Sequence, residues 1–355
     1  MRAPLYRRLS RSSARTRQLW QRIDLTQELG VRLAFAHRAD KVASRRWAPA
    51  ARLALYREIW GDAADEIGAA HEHLGDGYVR FTLGEARSTV WFHNTQLDDP
   101  VTLRLALDKV MVHGLLRDAG IPVPEHRQFT PGDPEPGLEL LRQAGGAFVV
   151  KPASGTSGGT GVTCAVDSER DFHRAGLHAA RLGERLLIER HLVGEEFRFL
   201  FLDGELLDVI RRRAPHVTGD GTSTVAELVS AENHRREAGG GHDGISVLEL
   251  DLDSVLTLDQ AGLAVDSVVP AGTAVAVKSA ANSNAPADND TVDLVEIDET
   301  VVDQARAAAS ILGLRFAGVD LITPDVSRPF AEVGGAIVEV NGTPGLSYHY
   351  LVSDP

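Results

Sequence analysis

Residues 151–161 read Lys-Pro-Ala-Ser-Gly-Thr-Ser-Gly-Gly-Thr-Gly, between two short apolar runs, Phe148-Val149-Val150 and Val162-Thr163-Cys164-Ala165-Val166. Two β-type runs joined by such a loop predict a hairpin whose tip exposes backbone N–H groups and lets another molecule approach the backbone closely. Lys151, at the end of the first run, sets an ammonium beside that tip, a combination suited to polyphosphate oxygens. This is not a Walker A loop: no Lys-Ser/Thr pair follows the glycines, and a strand comes next where that motif has a helix. The plainer reading is a flexible hairpin tip, and the loop by itself leaves both open.

The rest of the chain falls into helical and extended segments around this hairpin. A helical pattern through Leu103, Leu107, Val110, Met111 and Leu115 stops at Gly120, with Pro122 just beyond. Pro124, Pro131, Pro134 and Pro136 then mark an extended, turn-rich connection. Leu186-Leu187-Ile188 reads as a strand, and Phe197 to Leu202 pairs across Asp203-Gly204 with Leu206 to Ile210 as a hairpin. Asp220 reads as a turn residue leading into a helix over Thr224–Glu237, and the glycine-rich stretch Glu237 to Ser246 as a mobile loop. A helix with Val301, Val302, Ala305, Ala308 and Leu312 on one face ends at Gly313 and feeds two strands, Phe316 to Ile322 and Ala336 to Val340. Alternating strands and helices with frequent hairpins predict an α+β (mixed α/β) fold.

The last two strands carry a second motif. Asp320 lies within Gly318-Val319-Asp320-Leu321-Ile322, and Glu339 and Asn341 within Val338-Glu339-Val340-Asn341. A period of two puts Glu339 and Asn341 on one face, amid apolar neighbours that leave a carboxylate in need of a counter-charge. Two carboxylates and an amide oxygen form a ligand set for Mg²⁺ that also holds substrate phosphates. The alternative is an acid pair at ordinary strand ends.

Composition removes several function classes. Nothing in the 355 residues approaches the run of about 18 apolar residues that a membrane span requires. The single cysteine, Cys164, excludes an internal disulfide framework and reads as a small core residue, and the thirteen scattered histidines show no zinc-site spacing. The expectation is a cytoplasmic globular protein. Residues 1–46 are basic, with eleven arginines and Lys41 against three acids, in a chain of net charge −13. Leu19, Trp20, Ile23, Leu25, Leu29 and Leu33 recur there at roughly helical spacing, so solvated helix faces or a subunit contact are expected and nucleic-acid binding is not.

Taken in order, Asp108-Lys109, Val150-Lys151, the glycine-rich loop, Glu189, Glu196-Phe197-Arg198, Asp320 and Glu339-Val340-Asn341 resemble the ATP-grasp superfamily. Arg212 through Gly221, with His216-Val217-Thr218-Gly219-Asp220-Gly221, and Gly318 to Gly345 are similar to the ATP-grasp portion of cyanophycin synthetases. The resemblance covers roughly residues 97–350 and implies the ATP-grasp fold, two α+β subdomains clamping ATP. It divides the chain into a helix-rich, pre-ATP-grasp region (1–96), an N-terminal subdomain with the lid (97–190) and a C-terminal subdomain with the metal site (191–355).

By that likeness Lys109 and Lys151 contact the nucleotide phosphates, and the lid comprises Ser154, Gly155, Thr156, Ser157, Gly158, Gly159 and Gly161. Glu189 and the linker to Val193 lie along the adenine edge, while Glu196 holds the ribose hydroxyls. Asp320, Glu339 and Asn341 bind two Mg²⁺ ions, and Arg212 and Lys278 stand near the reacting phosphate. A homodimer is also implied. The cyanophycin-type pattern has arginine where this chain has Lys278, and the string after it is replaced by Asn282-Ser283-Asn284-Ala285-Pro286-Ala287. The large Mur-ligase-like domain of those synthetases has no counterpart before Pro355, so one coupling chemistry is expected rather than two.

The implied chemistry is ATP-dependent ligation of a carboxylate to an amine through an acyl phosphate, releasing ADP and phosphate. The alternatives are a small-molecule kinase on the same fold, or an ATP-binding scaffold without turnover. His349 reads as a surface or packing residue in preference to a general base.

Overall fold

The computed structural model describes residues 49–156, 159–238, 248–280, 289–350 and 352. The basic arm with its Leu19–Leu33 pattern, lid residues Ser157 and Gly158, most of the 237–246 stretch and the Asn282–Ala287 string lie outside the described residues.

The described chain opens with helix α1 (Pro49–Ile67), followed by a three-stranded meander, β1 (Ala70–Gly75), β2 (Tyr78–Leu83) and β3 (Ala86–Trp91). Helix α1 buries Leu55 and Ile59 against Leu346, near the far end of the chain, and Trp60 donates its indole N–H to the Phe92 carbonyl at 2.7 Å.

The single helix expected over residues 103–119 is two helices, α2 (Pro100–Ala106) and α3 (Lys109–Asp118). Asp108 makes the break: in extended conformation, its carboxylate caps α3 by accepting the Met111 N–H, and Arg185 holds it at 2.6 Å. The proline-rich connection also holds regular structure, β4 (His126–Phe129) and α4 (Glu135–Ala144). Pro134 is the N-cap of α4 and Pro136 lies in its first turn, where a missing N–H costs nothing.

A four-stranded antiparallel sheet of order β4-β7-β5-β6 follows, from β5 (Phe148–Pro152), β6 (Thr163–Val166) and β7 (Leu186–Arg190). Helices α4 and α5 (Glu169–Ala179) pack on it around Phe129, Leu141, Phe148, Phe172 and Ile188. The second sheet comprises β8 (Glu195–Leu202), β9 (Glu205–Arg212), β12 (Asp290–Thr291), β13 (Phe316–Thr323) and β14 (Ala336–Asn341), in the order β12-β9-β8-β13-β14. The expected hairpin at Asp203-Gly204 joins β8 to β9. Between β9 and β12 in sequence lie β10 (His216–Thr218), α6 (Val225–Ala238), α7 (Leu252–Gln260) and β11 (Ala274–Ala276), which gather around Val217, Val225, Leu258 and Val269.

The alternation of β8 positions the site. Phe197, Phe199 and Phe201 point into the core with Val319, Leu321 and helix α8 (Glu299–Ile311). Their neighbours Glu196 and Arg198 therefore face the other side of the sheet, as do Arg212, Asp320 and Glu339 on the adjoining strands. One face is hydrophobic core and the other is charged. Helix α9 (Phe330–Val333) precedes β14, and the one-turn helix α10 (Ser347–Tyr350) follows it.

Candidate active site

The charged face of the five-stranded sheet meets the four-stranded sheet across a cleft lined by Lys109, Lys151, Glu189, Glu196, Asp320 and Glu339. Each acid there has a basic partner. Lys151 Nζ lies 2.5 Å from Glu189 Oε1, one strand over on β7, and Lys109 Nζ lies 2.9 Å from Glu339 Oε1. Arg198 binds both oxygens of Asp320, Nε to Oδ1 and Nη2 to Oδ2, each at 2.5 Å. Arg212 Nη1 reaches Glu196 Oε1 at 2.7 Å and Asp320 Oδ2 at 3.4 Å, with its guanidinium 5.4 Å from the Tyr348 ring centre.

Local folding explains why these groups converge. Lys109 is the first residue of α3, and its backbone N–H donates to the Ala153 carbonyl at 3.0 Å, which docks the helix start on the end of β5. Lys151 leaves the same strand two residues earlier, so both ammoniums enter from one corner. Asp320 and Glu339 are direct cross-strand partners in the β13–β14 register. Asn341, two residues further on the same face, donates its Nδ2 to Asp320 Oδ2 at 3.2 Å.

The electrostatics follow from burial and pairing. Burial works against ionised Glu339, but Lys109, and behind it Lys151, hold its carboxyl down at about 2. Burial likewise opposes the Lys109 ammonium, and Glu339, with Glu189 and Asp320, overrides it and raises the lysine. Glu196 is raised, chiefly by burial and against the pull of Arg212.

Of the lid, Ser154 forms an isolated bridge with Asp108, and Gly155, Gly159 and Gly161 have φ of 79°, 70° and 76°. A side chain at Gly161 would also meet Leu182 Cδ1 at 2.5 Å. Thr156 and Gly159 line the cleft. Val193 is 85% exposed, and the chain beside it is fixed by Gly194, which has a φ of 148° and where a Cβ would collide with the Thr323 carbonyl carbon.

Lys278 lies behind the cleft wall. It is 2% exposed, does not line the cleft, and is paired with Asp251 Oδ2 at 2.7 Å. Next to it the buried Asp253 accepts the N–H groups of Cys164 (2.8 Å), Ser279 (3.1 Å) and Ala280 (3.3 Å). This polar cluster ties the segment before residue 280 to β6, and only its neighbours Ser279 and Ala280 reach the cleft. Cys164 is buried, and burial pushes its thiol well up, in keeping with a small core residue.

Three further residues stand around these groups: Arg198 and His349, both already named from the sequence, and His113, which was not. Arg198 is the direct cross-strand partner of Asp320, and the Glu-Phe-Arg-Phe alternation, which puts it on the face of Glu196, was the available signal. His113, fully buried on α3, hydrogen-bonds through Nε2 to the Val338 carbonyl at 3.1 Å, while its Nδ1 stands 4.0 Å from Glu189 Oε2. It thereby links the two sheets beneath the cleft, and burial pulls its imidazole down to about 4. Of the surface-or-packing expectation for His349 the structure shows packing: its side chain is 6% exposed and its Nδ1 bonds Asp208 Oδ2 at 2.6 Å.

The donor set fits a magnesium ion. Two opposed carboxylates and an adjoining amide offer hard oxygen atoms on one sheet face, and among the described residues no cage of three acid or imidazole ligands competes with them. Mg²⁺ that bridges nucleotide phosphates takes one or two carboxylates and keeps other positions for phosphate and water.

No family model matches the chain. Cyanophycin synthetase from Nostoc sp. is 36% identical over 254 residues, 71% of this chain and 28% of that protein. The glutathione biosynthesis bifunctional protein GshAB of Mannheimia succiniciproducens is 32% identical over 283 residues, 77% of this chain and 37% of that protein. The chain thus spans about a third of the length of these curated relatives. Among solved structures, a bifunctional glutathione synthetase from Pasteurella multocida superposes with a TM-score of 0.50 at 28% identity, over 82% of this chain and 40% of that one. With the ordered motifs converging on one cleft and relatives of 32–36% identity over 71–77% of its length, the chain belongs to the ATP-grasp superfamily.

Proposed function

We propose that the protein is an ATP-dependent carboxylate–amine ligase that works through an acyl phosphate and releases ADP and phosphate. The observation that carries this reading is the opposed pair Asp320 and Glu339, with Lys109, Lys151 and Arg212 arranged around it on two facing sheets. A carboxylate is a poor acyl donor because its leaving group would be an oxide. Phosphorylation turns that oxygen into a phosphate leaving group, and the charge that develops must be met by fixed cations and a metal.

The residues divide this work. Lys109 and Lys151 bind the nucleotide phosphates, exchanging the carboxylates they hold here for phosphate oxygens. The lid backbone, Ser154 to Gly161, closes over the phosphates and keeps water from the activated acid. Glu189 and the Val193 linker follow the adenine, and Glu196 takes the ribose hydroxyls. Asp320, Glu339 and Asn341 would hold Mg²⁺, two ions in this reading, and the metal would supply Lewis-acid stabilisation of the transferring phosphoryl group. Arg212, set by Tyr348 and Glu196, faces the phosphoryl group in transfer. We assign Lys278 a positioning role, through the Asp251 and Asp253 cluster that sets Ser279 and Ala280 in the cleft wall. The partners are an acid and an amine, and the lone buried thiol suits a reducing cytoplasm; among the described residues no helix is long and apolar enough to cross a membrane.

The test is release of ADP and phosphate from Mg²⁺-ATP, with the twenty amino acids and a dipeptide pool as acids and amines. The expected result is release that requires both an acid and an amine, and a fall of about 10²-fold or more for Glu339→Gln. Release that requires only one hydroxyl compound, with no free phosphate, would make the protein a kinase.

A further inference from the structure

The charged face of the five-stranded sheet continues past the metal group to a pair of side chains that the reading above does not use. The register aligns Asp208 on β9 with Leu200 on β8, Gly318 on β13 and Asn341 on β14. Asp208 therefore shares the face of Asp320, two strands away, at a lateral distance of about 10 Å. The chain after Asn341 crosses this face: a Cβ built on Gly318 would lie 2.9 Å from Pro344 Cβ. That crossing lands α10 against β9, with Tyr348 over Arg212 and the His349 ring against Asp208. From outside, α1 holds α10 in place through Leu55 and Ile59 on Leu346 and a Tyr56–Ser347 hydrogen bond.

The tautomer is set by this contact. A carboxylate only accepts, so Nδ1 carries the hydrogen that bonds Asp208, and Nε2 of the neutral ring presents a lone pair. Among the described residues that Nε2 is buried and has no hydrogen-bond partner. A buried acceptor without a donor costs free energy, so the atom calls for a donor that the described residues do not supply. The charged groups around the ring are Asp208 and Arg212 on β9 and Arg198 on β8, with Arg52 and Tyr56 of α1 behind Tyr348. Burial, with Arg198 and Arg212, lowers the imidazole against the pull of Asp208, so the ring is neutral at pH 7 and able to take a proton.

We propose that the Asp208–His349 pair is the proton acceptor for the amine substrate, with Nε2 of His349 as the accepting atom. The proposal rests on the ligase reading. The ammonium form of the amine gives one proton to Nε2, and its freed lone pair attacks the carbonyl carbon of the acyl phosphate. The C–N bond forms and the C–O bond to phosphate breaks, its electron pair leaving with the phosphate. The second nitrogen proton passes to the departing phosphate, and His349 returns its own to solvent. Asp208 stabilises the imidazolium that exists in between.

Hydroxylamine separates this role from the rest of the reaction, because it is already neutral at pH 7 and traps acyl phosphates as hydroxamates without a base. Wild type, His349→Gln and Asp208→Asn are compared with the amino-acid and dipeptide pool as acids, and with either hydroxylamine or amino acids as acceptor. For His349→Gln, coupling to amino acids is expected to fall about 10²–10⁴-fold while hydroxamate formation stays within about threefold, with residual coupling climbing as pH rises. Asp208→Asn, which keeps the ring but mis-sets its tautomer, is expected to show the same selective loss to a lesser degree; it also serves should the glutamine variant melt early. Equal losses with both acceptors, or no loss with either, would overturn the proposal. A wild-type protein that makes no hydroxamate with any acid refutes the ligase reading, and this proposal with it.

Discussion

Replacing Arg198 by Met gives the sharpest stability test of the charged sheet face. Arg198 and Asp320 are 6% and 1% exposed and meet through two hydrogen bonds of 2.5 Å. Methionine keeps most of the aliphatic volume, so the packing loss is small and the uncompensated Asp320 charge dominates. Breaking such a pair costs about 3–5 kcal/mol. Arg212 at 3.4 Å and Asn341 Nδ2 at 3.2 Å still address Asp320 Oδ2, which places the expected cost near the lower end, about 3 kcal/mol. That is about 150-fold in the folding equilibrium and a fall in Tm of about 4 °C. Two further expectations fix the cause. Asp320→Asn added to Arg198→Met should recover most of the loss, because no buried charge is then left. Mg²⁺ should stabilise Arg198→Met more than wild type, because the metal replaces the lost cation. The assay is denaturation of the four proteins of the double-mutant cycle, with chelator and with Mg²⁺. Additive losses in the cycle, with no extra response to Mg²⁺, would refute the reasoning.

Other substitutions follow from the same contacts. Lys278→Met should destabilise by leaving the half-buried Asp251 carboxylate without its cation, and Lys278→Met with Asp251→Asn should recover both stability and turnover; a stable double variant that remains inactive would place Lys278 in the chemistry instead. Asp253→Ala strands three backbone N–H groups and should cost about 3 kcal/mol, read by chemical denaturation. Gly194→Ala forces a Cβ onto the Thr323 carbonyl carbon at a φ of 148° and should cost about 2–3 kcal/mol, measured the same way. His113 sits at about 4 in the fold against an ordinary 6.5. The unfolded chain therefore binds more protons between those values, and stability should decline as pH falls from about 6.5 toward 4. His113→Phe should flatten that decline, and an unchanged profile would show that other groups set it.

The site was legible where one motif residue fixes a strand position. The register that makes Asp320 and Glu339 direct partners follows from two short strands of period two, and the Phe alternation of β8 separates core from charged face. Convergence of Lys109 with Lys151 was legible only as an ordered pattern, since it depends on the α3 backbone docking onto Ala153 from 44 residues away in sequence. The helix break at Asp108 was hidden because Asp is tolerated in a helix surface and its capping role is known only once the turn is seen. The β1–β3 meander was obscure because β1, His71-Glu72-His73 included, is exposed along its whole length and carries no burial alternation. The partners of Lys278 and His349 are likewise remote: Asp251 lies 27 residues away and Asp208 lies 141 residues away, and neither position shows a local pattern.

The central claim is that an acid is activated as an acyl phosphate, and oxygen transfer tests it directly. An amino-acid pool labelled with ¹⁸O in its carboxylates is incubated with Mg²⁺-ATP, amine and enzyme, and the released phosphate is analysed by mass spectrometry. One ¹⁸O in each phosphate is the predicted result, because the acid's oxygen leaves on the phosphoryl group when the amine attacks. Phosphate carrying only unlabelled oxygen, released in step with amide formation, would contradict the account.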